Sequence, residues 1–390
     1  MRWVTELSAP ITFVRWSPLA GLVVSAGTEV HNVTSRGQKR WYVVAGQGHR
    51  LFTAGDNEVV WSPSFQRLSE IRRWGRQGWQ RKWHGDLVGD EERGFFLVDA
   101  ATVSAVGPDG KDRWRASLEG LRRLEGPYAC AEGSLFHGIR GLEGVAVTIS
   151  KRGAVMRETV LERGAVVLGA GESCAPLVWH GDEVSLLDAR GIKQWRHPAP
   201  SAPMVRRLDG GFLLVSHAAD KPVRFTAIRD AGEVVWSQDL PASGRVTGIG
   251  LHPGANLRAR LVGLCLDVSS PCARPGGDRG PYNALMTLAP NGELRALVRH
   301  TSGHLAFAPH PRGGFVVASS PDVELTELTL RSDVGDSVVW QLSLPGRLSA
   351  GPHVGPEGEI YIATCNGWDC DPPYLLIAIT GFESEKEGTP

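Results

Sequence analysis

Six cysteines, twelve histidines and one basic, tryptophan-rich stretch carry most of the chemistry open to this chain. Four of the cysteines fall in two matching places: Cys265 and Cys272 in LCLDVSSPC, before PYNALMTL, and Cys365 and Cys370 in TCNGWDC, before PYLLIAIT. In both, a cysteine ends an apolar run, its partner follows in a loop, and Pro-Tyr opens the next run. Equivalent placement predicts two disulfides, Cys265 with Cys272 and Cys365 with Cys370, each closing a small loop for about 2 to 2.5 kcal/mol in the chain-entropy account. A four-thiolate zinc site is the alternative, and it needs the two loops to converge across an intervening unit. Cys130 in YACAEG and Cys174 in ESCAPL occupy corresponding positions of successive units. They either bridge neighbours or pack as small buried residues, and unpaired burial is the reading taken.

His137, His180 and His217 end comparable runs, SLFHG, PLVWH and LLVSH. Zinc needs ligand nitrogens about 2.0 to 2.1 Å from one ion, whereas such runs in adjacent units stand well apart, so a recurring turn-capping role is expected. His300, His304 and His310 lie in turn and strand, where the HxxxH spacing that serves a helix does not gather rings. The stretch from Ile71 to Trp83, IRRWGRQGWQRKW, interleaves Arg72, Arg73, Arg76, Arg81 and Lys82 with Trp74, Trp79 and Trp83. Cations beside aromatic faces can hold a phosphate, an acidic peptide or a single-stranded nucleic acid. An outer strand with tryptophan inward and arginine outward produces the same pattern. Arg72, Arg73, Arg76, Trp79, Arg81 and Lys82 are therefore the partner-binding candidates. With no Gly-rich phosphate loop, GxSxG elbow, HExxH or paired-carboxylate motif apparent, no catalytic, metal or cofactor residue is assigned, and no cofactor is expected.

A repeated unit positions these residues. An apolar run, a turn on glycine and a tryptophan recur in AVGPDGKDRW (Ala105 to Trp114), LLDARGIKQW (Leu186 to Trp195), AIRDAGEVVW (Ala227 to Trp236), NVTSRGQKRW (Asn32 to Trp41) and LRSDVGDSVVW (Leu330 to Trp340). A period of roughly 40 residues without helical spacing predicts an all-β propeller. Apolar runs of about four to six residues, bounded by Gly, Asp and Pro, read as strands, four to a blade. The expected outer-strand anchors are Trp3, Trp41, Trp74, Trp114, Trp195, Trp236 and Trp340, with Met156 and Leu294 in the weaker units. Counting them gives nine, the one near Trp74 being the weakest. Eight blades are expected, with seven or nine as the alternatives, and an insertion enlarges the seventh unit between Leu266 and Pro281. Trp3 looks like an outer strand with nothing before it, and the C-terminus offers three strands lacking an outer one. Pairing the two closes the ring and hides its edges. The expected organisation is one propeller domain over 1–382 and a disordered acidic tail over 383–390.

Lys plus Arg equals Asp plus Glu at 42 each, so no global field favours nucleic acid or an anionic surface. No run is long and apolar enough for a membrane span. The start, MRWVTELSAPITFVRW, lacks the apolar core of a secretory signal, which points to the cytoplasm. The paired cysteines point instead to an oxidising compartment.

SLLDARGIKQW running into SAPMV, and VVWQLSLPGRLSAGPHVGPEGEIYIAT, resemble the quinoprotein-like repeat. That resemblance implies a propeller of four-stranded blades. The superfamily includes quinone-dependent alcohol dehydrogenases and non-catalytic propellers such as the lipoprotein of the outer-membrane barrel-assembly machinery. The dehydrogenases share an adjacent cysteine pair over the cofactor and a calcium or lanthanide held by Glu, Asn and Asp, and no adjacent cysteine pair exists here. Among its branches the chain resembles the non-catalytic one, and the expected function is a scaffold presenting loops to a protein partner, with a monomer expected. The alternatives are a quinone- or metal-dependent site in the central channel, and a secreted binder of carbohydrate or surface polymer using Trp79 and Trp368.

Overall fold

In the computed structural model the described residues are 1–380, apart from 18–20, 55–56, 73–75, 84, 91–93, 100, 219–220, 241–242, 252–256, 266–281, 301–303, 312–313, 333–336 and 368. Short apolar runs punctuated by turns give nine four-stranded antiparallel sheets. They span 11–44, 50–82, 86–117, 121–161, 166–198, 204–239, 243–300, 304–345 and 347–379, the last joined by Trp3–Leu7 as its outer strand. Trp3 lies opposite Ala378 and Leu7 opposite Tyr374. Nine such sheets among the described residues correspond to the alternative of nine units kept beside the expected eight. The short second unit, 50–82, builds a complete sheet from strands of only five or six residues. The expected tail, 383–390, lies outside the described residues.

The core sits between sheets. Successive side chains of a strand point to opposite faces, and here both faces of the middle strands are covered, so these strands are apolar without alternation. Val23 packs with Val60 and Ile71 of the second sheet, while Leu22 and Val24 pack with Ala363 and Leu376 of the ninth. Val59 and Leu68 meet Phe95 and Leu97 of the third sheet, and Phe96 meets Phe136 of the fourth. Each fully buried Val, Leu or Phe contributes about 1.5 to 3 kcal/mol.

A second device latches each sheet to the next. In the turn between third and fourth strands, Gly37, Gly110, Gly153, Gly232 and Gly292 all have φ between +76° and +87°, a region open to glycine. Each lies against a tryptophan of the preceding sheet: Trp3, Trp79, Trp114, Trp195 and Trp236 respectively. The indole N–H of Trp3, Trp79, Trp195 and Trp236 donates to the carbonyl two residues before that glycine, at Ser35, Pro108, Asp230 and Pro290, over 2.8 to 2.9 Å. A β-bulge beside the tryptophan, as between Asn32/Val33, Ala105/Val106 and Ala227/Ile228, turns the ring out toward that neighbour.

This register revises two anchors. In the second sheet a tryptophan docked on a glycine turn is Trp79, one of the partner-binding candidates, and Trp74 lies outside the described residues. In the fourth sheet Arg157, not Met156, stands opposite Thr148 at the anchor position, and Met156 is 49% exposed. In the seventh sheet Ala296, not Leu294, stands there, opposite Thr287.

Candidate functional site

Antiparallel order sends the turns between first and second strands, and between third and fourth, to one end of every sheet. The turns between second and third strands lie at the other end. The basic, tryptophan-rich stretch is divided by this geometry. Arg72 and Arg76 flank the third turn of the second sheet, and Lys82 ends the strand Gln77–Lys82. Six residues of strand separate Arg76 from Lys82, about 20 Å. Trp79 is spent on the latch and stacks on Phe95 with centroids 6.1 Å apart. Arg81 is paired with Asp112 of the third sheet at 2.5 Å, and Arg72 with the buried Glu70 at 3.1 Å. Arg76 and Lys82 are exposed, and Arg73 lies outside the described residues.

The histidines also serve their own sheets. His137 sits 3.4 Å from Glu125 and stacks on Tyr128, and burial lowers its pKa against the pull of Glu125. His180 lies 2.8 Å from Glu162, with its other ring nitrogen 3.1 Å from the Arg163 carbonyl. His310 is buried, while the side chains of His217, His300 and His304 lie outside the described residues. Among the described residues no group of three or more His, Cys, Asp or Glu side chains could hold a metal ion. No helix there is long and apolar enough to cross a membrane.

The cysteines give the clearest correction. Cys130 and Cys174 form a disulfide, with Cα atoms 5.2 Å apart, rather than packing unpaired. Cys130 follows the first strand of the fourth sheet and Cys174 precedes the second strand of the fifth, so turns 44 residues apart in sequence meet at one end of adjacent sheets. The Ala131 N–H donates to the Glu172 carbonyl at 2.9 Å beside the bridge. Cys365 and Cys370 form a second disulfide at the opposite end, in the ninth sheet. Of the expected pair Cys265 and Cys272, Cys265 ends the strand Leu257–Cys265 with its side chain outside the described residues, and Cys272 lies outside them altogether, as does Trp368.

Beside the first bridge opens a cleft of about 400 Å³, lined by Ala131, Glu132, Glu172, Ser173, Gln194 and Asp230 among others. Glu132 and Glu172 are exposed on its rim. Asp230 is held by a bidentate pair with Arg207, whose guanidinium also lies 4.7 Å over the Phe212 ring. The cleft thus presents two carboxylates free to meet a cation and one already neutralised.

Among the many solved structures whose architecture resembles this one, two illustrate the likeness. A eukaryotic initiation factor superposes over 87% of this chain and 89% of its own with a TM-score of 0.56, at 11% identity. The quinohemoprotein alcohol dehydrogenase from Comamonas testosteroni superposes over 97% of this chain and 76% of its own with a TM-score of 0.50, also at 11% identity. The chain is a β-propeller. At such identity the likeness speaks for the fold alone. No protein-family model matches the propeller, and no curated protein matches it by sequence.

One polar junction of the propeller carries no sequence motif. Arg15, on the first strand of the first sheet, is ion-paired with Glu58 of the second sheet. His353, from the ninth sheet, accepts the Trp16 N–H at Nε2 over 2.7 Å. Burial, aided by the nearby Arg15 charge, holds that imidazole neutral down to about 4. Burial raises the Glu58 carboxyl in spite of Arg15. Tyr361 stacks on Trp16 with centroids 5.9 Å apart, and burial carries its hydroxyl above the usual phenol range.

Proposed function

We propose that this propeller is a scaffold that presents its turns to a protein partner, with the cleft beside Cys130 and Cys174 as the point of contact. The observation that carries this reading is how the side chains with chemical potential are used. His137, His180, Arg81, Arg207 and Trp79 each hold a neighbouring strand, turn or sheet in place. The bridged turns support the two rim carboxylates on a rigid edge, as a recess for a basic side chain would require. We take the nine sheets to form a closed ring in which Trp3–Leu7 completes the ninth. The pairing of that strand with Asp371–Ile379 and the packing of Leu22 against Leu376 support this.

Affinity capture with the tagged chain, comparing wild type with the double variant Glu132→Lys, Glu172→Lys, tests the contact. A partner retained by wild type at low salt and lost by the variant, at unchanged melting temperature, supports the proposal. Identical partners for both proteins reject the cleft.

A further inference from the structure

We infer that Ser25 is a nucleophilic serine activated by His49, an activity separate from the proposed scaffold role. Ser25 Oγ lies 2.6 Å from His49 Nε2, and His49 Nδ1 lies 2.9 Å from the Gly46 carbonyl oxygen. A carbonyl only accepts, so Nδ1 carries the ring proton. In the neutral ring Nε2 is then the acceptor, and the Ser25 hydroxyl is the donor. This order makes a serine reactive: a base within reach of the hydroxyl, itself oriented by a third group. Here the third group is a neutral carbonyl, which fixes the tautomer without adding charge.

Both partners are held before any substrate arrives. Ser25 lies near the end of the second strand of the first sheet, Gly21–Ala26, and receives a further hydrogen bond from Thr12 Oγ1 at 3.3 Å. His49 lies in the connection to the second sheet, after Gly46 and Gly48 with φ of +79° and +68°. A Cβ on Gly46 would stand 3.2 Å from Ser64 Cβ, and Ser64 Oγ donates to the Gln47 carbonyl at 3.0 Å. That turn is clamped against the 3₁₀ turn Pro63–Phe65.

Ser25 is 4% exposed, but the residues around it open to solvent. Thr12, which donates to Ser25, is exposed, and Phe13, opposite Ser25 across the strand pair, is 37% exposed. Phe13 offers an apolar platform for an acyl chain, so the substrate class is an activated ester with an apolar acyl group. Ser25 Oγ adds to the carbonyl carbon as its proton passes to His49 Nε2. The alcohol leaves with that proton, giving acyl-Ser25. A water that yields its proton to Nε2 then releases the carboxylic acid and restores the serine.

The test is covalent labelling of the full chain with a fluorophosphonate: the serine oxygen bonds to phosphorus, its proton passes to His49 and fluoride leaves. Intact mass should show one adduct, mapped to Ser25, forming about 100-fold more slowly in His49→Gln. Ser25→Ala should not label there. Ser25→Cys, close in size, should also resist the reagent while melting like wild type, so that lost labelling cannot be confused with unfolding. Wild type without an adduct at Ser25 under large excess, or His49→Gln labelled at the wild-type rate, overturns the inference. Partner capture by the Glu132 and Glu172 variant is read independently of either result.

Discussion

Lowering the pH from 7.5 to 5 should loosen the junction of the ninth, first and second sheets through the single imidazole of His353. Its Nε2 accepts the Trp16 N–H, a role open only to the neutral ring. Its pKa falls from 6.5 to about 4 because burial, then the Arg15 charge, opposes protonation. The folded state therefore binds fewer protons than the unfolded state between these values. The stabilisation is fully present above about 6.5 and is lost as pH falls toward 4. A difference of about 2.5 units at 1.36 kcal/mol each gives roughly 3 kcal/mol below pH 4, of which about 2 kcal/mol is already lost at pH 5. His353→Gln supplies a non-titrating acceptor, an amide carbonyl, at nearly the same place. Urea unfolding of both proteins at pH 7.5, 6 and 5 should show the wild type losing about 2 kcal/mol more than the variant across this range. Subtracting the variant removes the contributions of His31 and His137, whose pKa values burial also lowers. Parallel pH dependences for the two proteins would refute the argument.

The latch predicts that Gly232→Ala, whose new Cβ would meet Trp195 at 2.5 Å with φ at +87°, destabilises by about 2 to 5 kcal/mol. Gly141→Ala, at φ +64° with nothing within 4 Å, should cost only about 1 to 2 kcal/mol, and urea melts of the pair separate collision from backbone strain. Removing the bridge across 44 residues with Cys130→Ala and Cys174→Ala should cost up to about 4 kcal/mol. Removing that across 5 residues with Cys365→Ala and Cys370→Ala should cost nearer 2 kcal/mol, and calorimetry of oxidised protein compares them. Deleting residues 1–7 strips the outer strand from the ninth sheet and the Trp3 ring from Gly37, so light scattering should report aggregation well below the wild-type melting temperature.

The sequence announced the sheets because a glycine turn and a tryptophan a few residues on are local signals. Phrases such as LLDARGIKQW carry both, and Asp188 Oδ1 indeed accepts the N–H groups of Arg190 and Ile192 in that turn. The second unit was harder to read. Between Ile71 and Trp83 three tryptophans and two glycines compete, and spacing cannot choose among them. Strand pairing chooses: Ser69 opposite Gln80, then a shift to Ile71 opposite Gln77, sets Trp79 where Trp41 stands in the first sheet. Cys130 and Cys174 were legible as equivalent positions but not as a bond, since bonding depends on how closely neighbouring turns approach. Ser25 and His49 carry no motif. Their meeting depends on the turn that folds His49 back on Gly46, which only the three-dimensional structure discloses.

The strand Trp3–Leu7 has a consequence for how this molecule assembles. Trp3 meets Ala378 at a sequence separation of 375, the difference of their numbers. Almost every other strand pairs with a neighbour a few tens of residues away, so the sheets can form locally while this one contact waits on the rest. Until it forms, the ninth sheet offers a bare edge and the first sheet a vacant seat at Gly37, and the two are complementary. A second chain in the same unfinished state carries the same strand and the same edge. At high concentration the contact that completes one molecule can join two, so the yield of refolded monomer should depend on dilution in a way that the stability of the finished monomer does not.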